Sequence, residues 1–278
     1  MAAEAQQPKI NVLGVKHSVY EVDITRSAYG TEIYECDSAP SHELSKLTPH
    51  LNILKARKKV GVEALGIVAR AYDIAKRVGK RMESGDHIFL RGVESALKLR
   101  KITAVPLDSA DELRLLRIQN FATSVCNELK KNKQLDTYQN PKIDQELADE
   151  FLNKDPRFLV SNELFAPLHP KLKKQLRLVT QNSPEEKNEK IRFYEELCNA
   201  IIVERSLEMY RTALNSKTHQ NIMGAKHAFD LKALGLANIE IVGSAKQLDT
   251  DEEIKNARAR LEQHRKFKSL LTKLREIE

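Results

Sequence analysis

The sequence predicts a mainly α protein: a helical, bundle-like body carrying a small N-terminal antiparallel β-hairpin. Three observations carry that expectation. The 278 residues are 41% hydrophobic and 31% charged but only 5% aromatic, with no Trp, a balance that suits helices rich in Leu, Ala, Ile, Lys and Glu. From Val60 onward, Ala64, Ile67, Val68, Ala71, Ala75, Val78 and Met82 recur at spacings of mostly three and four, the stripe of a half-buried helix. Finally, Ser109-Ala110-Asp111-Glu112 and Ser183-Pro184-Glu185-Glu186 are capping-box starts, in which the Ser hydroxyl and the Glu carboxylate satisfy amides that have no partner inside the helix.

Taken along the chain, Tyr20, Val22 and Ile24 alternate with polar neighbours and Thr31 to Glu35 returns after Ser27-Ala28-Tyr29-Gly30, which reads as a hairpin with Ile10–Val15 as its third strand. A hairpin alone is marginal in water, and Ile239-Glu240-Ile241-Val242 is the later segment best suited to join it. A first helix is expected from about Pro49 to Arg81. His87 to Lys101 reads as a second, basic helix, although Ile88-Phe89-Leu90 also fits a short strand. Further helices are expected over 110–133, in short pieces between 143 and 179, over 183–215, and over 250–278, where Asp251, Glu252 and Glu253 complement the helix dipole. The expected division is a basic N-terminal part, 1–105, and a longer helical part, 106–278. No repeat architecture or low-complexity tract is recognised.

Several chemistries are excluded at the level of linear motifs. Gly61-Val62-Glu63-Ala64-Leu65-Gly66 has the glycine spacing of a phosphate loop, but Ile67 and Val68 stand where Lys and Ser or Thr are needed, so the glycines read as helix-packing positions. His42-Glu43-Leu44-Ser45-Lys46 lacks the second imidazole of a zinc helix, and His219 and His227 have no Cys or carboxylate at ligand spacing. Ser95-Ala96-Leu97-Lys98 lacks the companion motifs of a Ser-Lys nucleophile. Cys36, Cys126 and Cys198 are far apart and form no disulfide or metal pattern. Carboxylate clusters such as Asp249, Asp251, Glu252 and Glu253 fall mostly at expected helix starts and read as caps. No cofactor, metal or catalytic residue is therefore implied.

The net charge of +7 is concentrated. Residues 55–101 hold 13 Lys and Arg against 5 Asp and Glu, which makes Lys55, Arg57, Lys58, Lys59, Arg70, Lys76, Arg77, Lys80 and Arg81 candidates for contacting phosphates. The last helix carries eight basic residues against Glu262 between Lys255 and Arg275, beside Ile254, Leu261, Phe267, Leu271 and Leu274, an apolar stripe suited to a partner helix. The N-terminus has no signal-peptide core and no stretch is apolar enough to span a bilayer. These features together lead to the expectation of a non-enzymatic adaptor or scaffold subunit of a larger cytoplasmic assembly, with other proteins or a second copy as partners. The alternative is a nucleic-acid-binding protein using 55–101 through backbone phosphates, and peripheral membrane contact stays open.

Overall fold

A computed structural model describes residues 7–15, 38–54, 58–63, 85–109, parts of 115–126, and 184–275. These divide into two compact units, Met1–Gly66 with Glu83–Ser109 and Ser206–Arg258, and Ile67–Met82 with Ala110–Arg205 and Ala259–Glu278.

The first unit overturns the mainly α expectation. Its centre is a five-stranded, wholly parallel sheet built from β1 (Ile10–Val15), β2 (Lys59–Val62), β3 (Thr103–Pro106), β4 (Gln220–Gly224) and β5 (Ala237–Ile241), in the order β3-β2-β4-β1-β5. The protein is of the α/β class, and neither "all-alpha" nor a bundle with an antiparallel hairpin describes it. Ile10–Val15 is a strand as the alternation predicts, but it lies inside the sheet, with Leu13 opposite Ile222 of β4 on one side and Glu240 of β5 on the other. The proposed hairpin over 19–36 falls outside the described residues. Where the first helix is expected to begin, α1 (Ser38–Ile53) is followed by β2, so Val60 of the expected helical stripe is a buried strand residue, as is Val62 beside it; the rest of that expectation, over 64–81, falls outside the described residues.

Strands covered on both faces lose the alternation that betrays a half-exposed strand. In β1 five of six residues are buried, and in β2 all but Lys59. The edge strands differ. β3 ends in Pro106, which an edge tolerates, and β5 alternates Asn238 and Glu240 outward against Ala237, Ile239 and Ile241.

Connections between parallel strands are right-handed, so the direction of each step fixes the face its helix covers. The steps β1 to β2 and β2 to β3 run one way along the sheet, and their helices are α1 and α2 (Gly85–Leu99), which pack on each other. The steps β3 to β4 and β4 to β5 run the other way through α3 (Pro184–Asn215) and α4 (Ala225–Ala233). Side chains agree with this assignment. Met209, Tyr210 and Ala213 of α3 and Ala228 and Leu231 of α4 share one core with Ile10, Val12 and Met223, while His50 of α1 reaches Glu240 at 3.0 Å. A second cluster, Ala225, Phe229, Ala245 and Ala257, joins α4 to a 3-10 turn at Gly243–Gln247 and to the start of α5 (Thr250–Arg275). Asp249 caps α5, its Oδ1 accepting from the amides of Asp251 and Glu252 at 3.0 and 3.2 Å, so at least this acidic cluster is a cap.

Three helices of this unit end in the same way. The amides of Ile102, Thr218 and Leu236 each donate to a carbonyl five residues back, and the residues before them, Lys101, Lys217 and Gly235, take φ values of 58°, 55° and 75°. Gly adopts that conformation without strain, whereas a lysine there costs roughly 1 kcal/mol. Lys101→Gly and Lys217→Gly are therefore each expected to raise stability by about 0.5–1 kcal/mol, read as a higher urea midpoint with an unchanged slope.

In the second unit, helical residues between 115 and 126 run antiparallel to α3. Cys198 Sγ lies 3.9 Å from the carbonyl of Gln119, and Cys126 Sγ 3.9 Å from that of Ile191. Leu115, Ile118, Ala122, Leu197, Ala200 and Ile201 bury their side chains between these helices, with Phe267 and Leu271 of α5. Phe193 meets Phe267 edge to face at a centroid distance of 5.3 Å, and His264 pairs with Glu204. Burial pushes the Tyr194 phenol up, far beyond its ordinary value. Above pH of about 10 the unfolded chain releases that proton while the folded chain keeps it, so stability falls as pH rises. Tyr194→Phe is expected to flatten this alkaline loss, which urea unfolding at neutral and alkaline pH would show.

Candidate functional site at the carboxyl edge of the sheet

Around β4 the chain leaves neighbouring strands toward opposite faces. After β2 and β1 it goes to the α1/α2 face, and after β4 to the α4 face. Such divergence opens a crevice beyond the carboxyl ends of the strands, the place where open α/β sheets bind ligands. A buried polar cluster lies at that edge, made of Glu63, Ser206, His227 and Asp230, none more than 7% exposed.

Each member is placed by a different piece of the fold. Glu63 is the first residue after β2, and its amide donates to Ile222 O at 2.9 Å, which locks it beside the end of β4. Its Oε2 accepts from the Gly224 amide at the start of α4, where the helix dipole favours a carboxylate. His227 and Asp230 lie three apart on α4 and so share a face. Ser206 comes from α3 and is fully buried. Gly14 of β1 lets α4 approach, because a Cβ there would stand 2.6 Å from Ile241 Cδ1 and 3.3 Å from Ala228 Cβ.

The hydrogen bonds define the imidazole. Ser206 Oγ donates to Asp230 Oδ2 at 3.1 Å, since an ionised carboxylate only accepts. When that proton is given to Asp230, Oγ accepts from His227 Nδ1, 2.8 Å away. In that arrangement the ring proton sits on Nδ1, and Nε2 faces Glu63 Oε1 at 3.3 Å. A carboxylate and a bare Nε2 repel at that distance, so the pair shares a proton or a bound cation. Nε2 and the Glu63 carboxylate are ligand types that a divalent ion accepts, although among the described residues no group of three His, Cys, Asp or Glu is gathered for one. The order of contacts also separates this cluster from a nucleophilic triad. There the serine meets Nε2 and the carboxylate meets Nδ1, whereas here Ser206 stands between Asp230 and Nδ1 and acts as an orienting group.

Of the residues singled out from the sequence, Lys58 and Lys59 are exposed at the start of β2, at the opposite edge of the sheet. Lys55, Arg57, Arg70, Lys76, Arg77, Lys80 and Arg81 lie outside the described residues. On α5, Ile254 packs against the cluster around Phe229, Leu261 is 9% exposed, and Phe267 and Leu271 lie in the second unit's core, while the side chain of Leu274 is outside the described set. The polar cluster itself was missed, because residues 63, 206, 227 and 230 belong to no linear motif. One signal was available: Gly14-Val15-Lys16-His17 and Gly224-Ala225-Lys226-His227 are the same Gly-x-Lys-His pattern, and β1 and β4 are adjacent, with Val15 opposite Gly224. His17 lies outside the described residues.

Comparison of the chain with protein-family models, with curated proteins and with solved structures finds no match. No helix among the described residues is long and apolar enough to cross a membrane.

Proposed function

We propose that the protein is an enzyme working by general acid–base chemistry, a hydrolase of a small polar substrate, with the Glu63–His227 pair as its proton-transfer centre. The observation that supports this reading is the buried chain of contacts from Asp230 through Ser206 to His227 Nδ1, with Nε2 3.3 Å from Glu63 Oε1; with Ser206 donating to Asp230, Nε2 is the nitrogen left to exchange a proton beside Glu63. In this reading Glu63 orients and polarises a water, His227 Nε2 takes or returns its proton, and Ser206 and Asp230 position the ring without touching substrate. An adaptor has no need for a buried carboxylate–imidazole pair at the ligand-binding edge of an α/β sheet, and the failed motifs that favoured the adaptor concern only residues close in sequence.

The test is a panel of ester, amide, phosphoester and glycoside substrates, assayed with and without divalent cations on the purified full chain. Hydrolysis by the native chain that falls at least about 100-fold in His227→Asn and Glu63→Gln, with the circular dichroism spectrum kept, is the expected result. Activity that survives both substitutions, or a panel on which the native chain is inert, contradicts the reading.

A further inference from the structure

The opposite edge of the sheet carries an independent feature. The residues that precede the strands are Lys9 before β1, Lys58 with Lys59 opening β2, Lys101 before β3, and Lys217 with His219 before β4, all of them exposed. Lys98 and Lys232, exposed in the last turns of α2 and α4, reach the same edge because these helices run antiparallel to the strands. The stretches 7–9, 58–59, 98–103, 216–220 and 232–238 contain no Asp or Glu. With strands about 4.8 Å apart, the four strand starts span roughly 15 Å. Leu99 lies within it, between Lys98 and Arg100, and at 84% it is the exposed large hydrophobic residue among those described.

Helix C-termini attract cations, and that accounts for some of these lysines. It does not account for two further facts. Lys101 and Lys217 hold a left-handed conformation that glycine would take more cheaply, as Gly235 does at the end of α4, so the cations are kept against a conformational cost. Leu99 is kept in water although its neighbours Leu97 and Ile102 are buried. Arg100 is held by Asn52 Oδ1 at 2.9 and 3.0 Å and by the Ala96 carbonyl at 2.8 Å, which fixes the helix end that presents Leu99.

We infer that this amino-terminal edge docks on an anionic lipid bilayer, with Leu99 entering the headgroup region and Lys58, Lys59, Lys98, Lys101 and Lys217 meeting lipid phosphates and carboxylates. A bilayer uses both properties of the edge, whereas a nucleic-acid backbone uses only the charge, and these stretches hold no Phe, Tyr or Trp for base stacking. The orientation leaves the carboxyl edge, with Glu63 and His227, turned away from the membrane. The inference does not rest on the enzymatic reading, and its test makes no use of activity.

The experiment is sedimentation of the full chain with vesicles of phosphatidylcholine alone or phosphatidylcholine with phosphatidylserine. The expected result is salt-sensitive binding to the phosphatidylserine vesicles only. Neutralising a lysine at an anionic surface weakens binding about fivefold, so Lys58→Gln with Lys59→Gln and Lys101→Gly should weaken it about 100-fold. Lys101→Gly with Lys217→Gly should bind vesicles less while unfolding at higher urea, which a mere helix-capping role does not produce. Because the chain has no Trp, Leu99→Trp supplies a single reporter whose emission should shift to the blue on binding. Emission that stays at its value in water, equal binding to both vesicle types, or salt-sensitive binding to duplex nucleic acid without vesicle binding overturns the inference.

Discussion

Glu63→Ala is expected to destabilise the chain by about 3–5 kcal/mol, and Glu63→Gln by about 1–3 kcal/mol, and both to remove the proposed hydrolysis. The difference follows from what each leaves behind. Alanine strands the Gly224 amide and the His227 ring in a site with almost no solvent, whereas glutamine keeps an oxygen for Gly224 but places an uncharged amide against Nε2. Urea unfolding gives the stabilities, and a cycle with His227→Asn isolates the pair. If the two side chains act together, the double variant costs less than the sum of the singles by about 1–3 kcal/mol. Additive costs would mean that the 3.3 Å approach has no energetic content.

Gly61→Val is expected to cost about 3–5 kcal/mol, enough to leave little folded protein. A Cβ at Gly61 would sit 2.2 Å from Asn221 Oδ1 and 2.7 Å from Leu107 Cδ2. Asn221 has no room to retreat: its Oδ1 accepts from Thr218 Oγ1 at 2.8 Å, and its Nδ2 donates to the carbonyls of Thr218 and Asn11 at 3.1 and 3.3 Å. That side chain ties the start of β4 to β1 on one side and lies against Gly61 of β2 on the other, so the added methyls displace a hydrogen-bonded junction where three strands meet. Gly61→Ala should cost less, and Asn221→Ala in the same chain should recover part of the loss. Urea midpoints of the two single variants and the double variant check this.

These two sites show why the sheet was hard to read from the sequence. β2 is only four residues, Lys59 to Val62, and its Val60 fits equally well at the head of the helical stripe that continues through Ala64 and Ile67. Gly61, which marks close backbone approach in a strand, also passes as a small residue for helix packing. β3 is only four residues and ends in Pro106, and β4 opens on the polar pair Gln220 and Asn221, the second of which bonds to Thr218 beside it and to Asn11 of β1. The elements with strong local signals were legible. Ile10–Val15 and the segment around Ile239 are strands, while α3 and α5 begin where Pro184 and the acidic run at 251–253 place them. The polar cluster was legible only as the repeated Gly-x-Lys-His, since the contacts that give His227 its role come from residues 63 and 206, far away in sequence.

The direct test of the account is the protonation of the His227 ring, read by nitrogen-15 NMR of histidine-labelled protein in the native chain and in Ser206→Ala. A protonated Nδ1 in the native chain, with Nε2 the nitrogen whose signal moves as pH changes, and loss of the fixed tautomer in the variant, is the predicted result. A bare Nδ1 accepting from Ser206, with the proton fixed on Nε2 at all pH values, would contradict the central claim that Asp230 and Ser206 hold Nε2 ready for proton transfer beside Glu63.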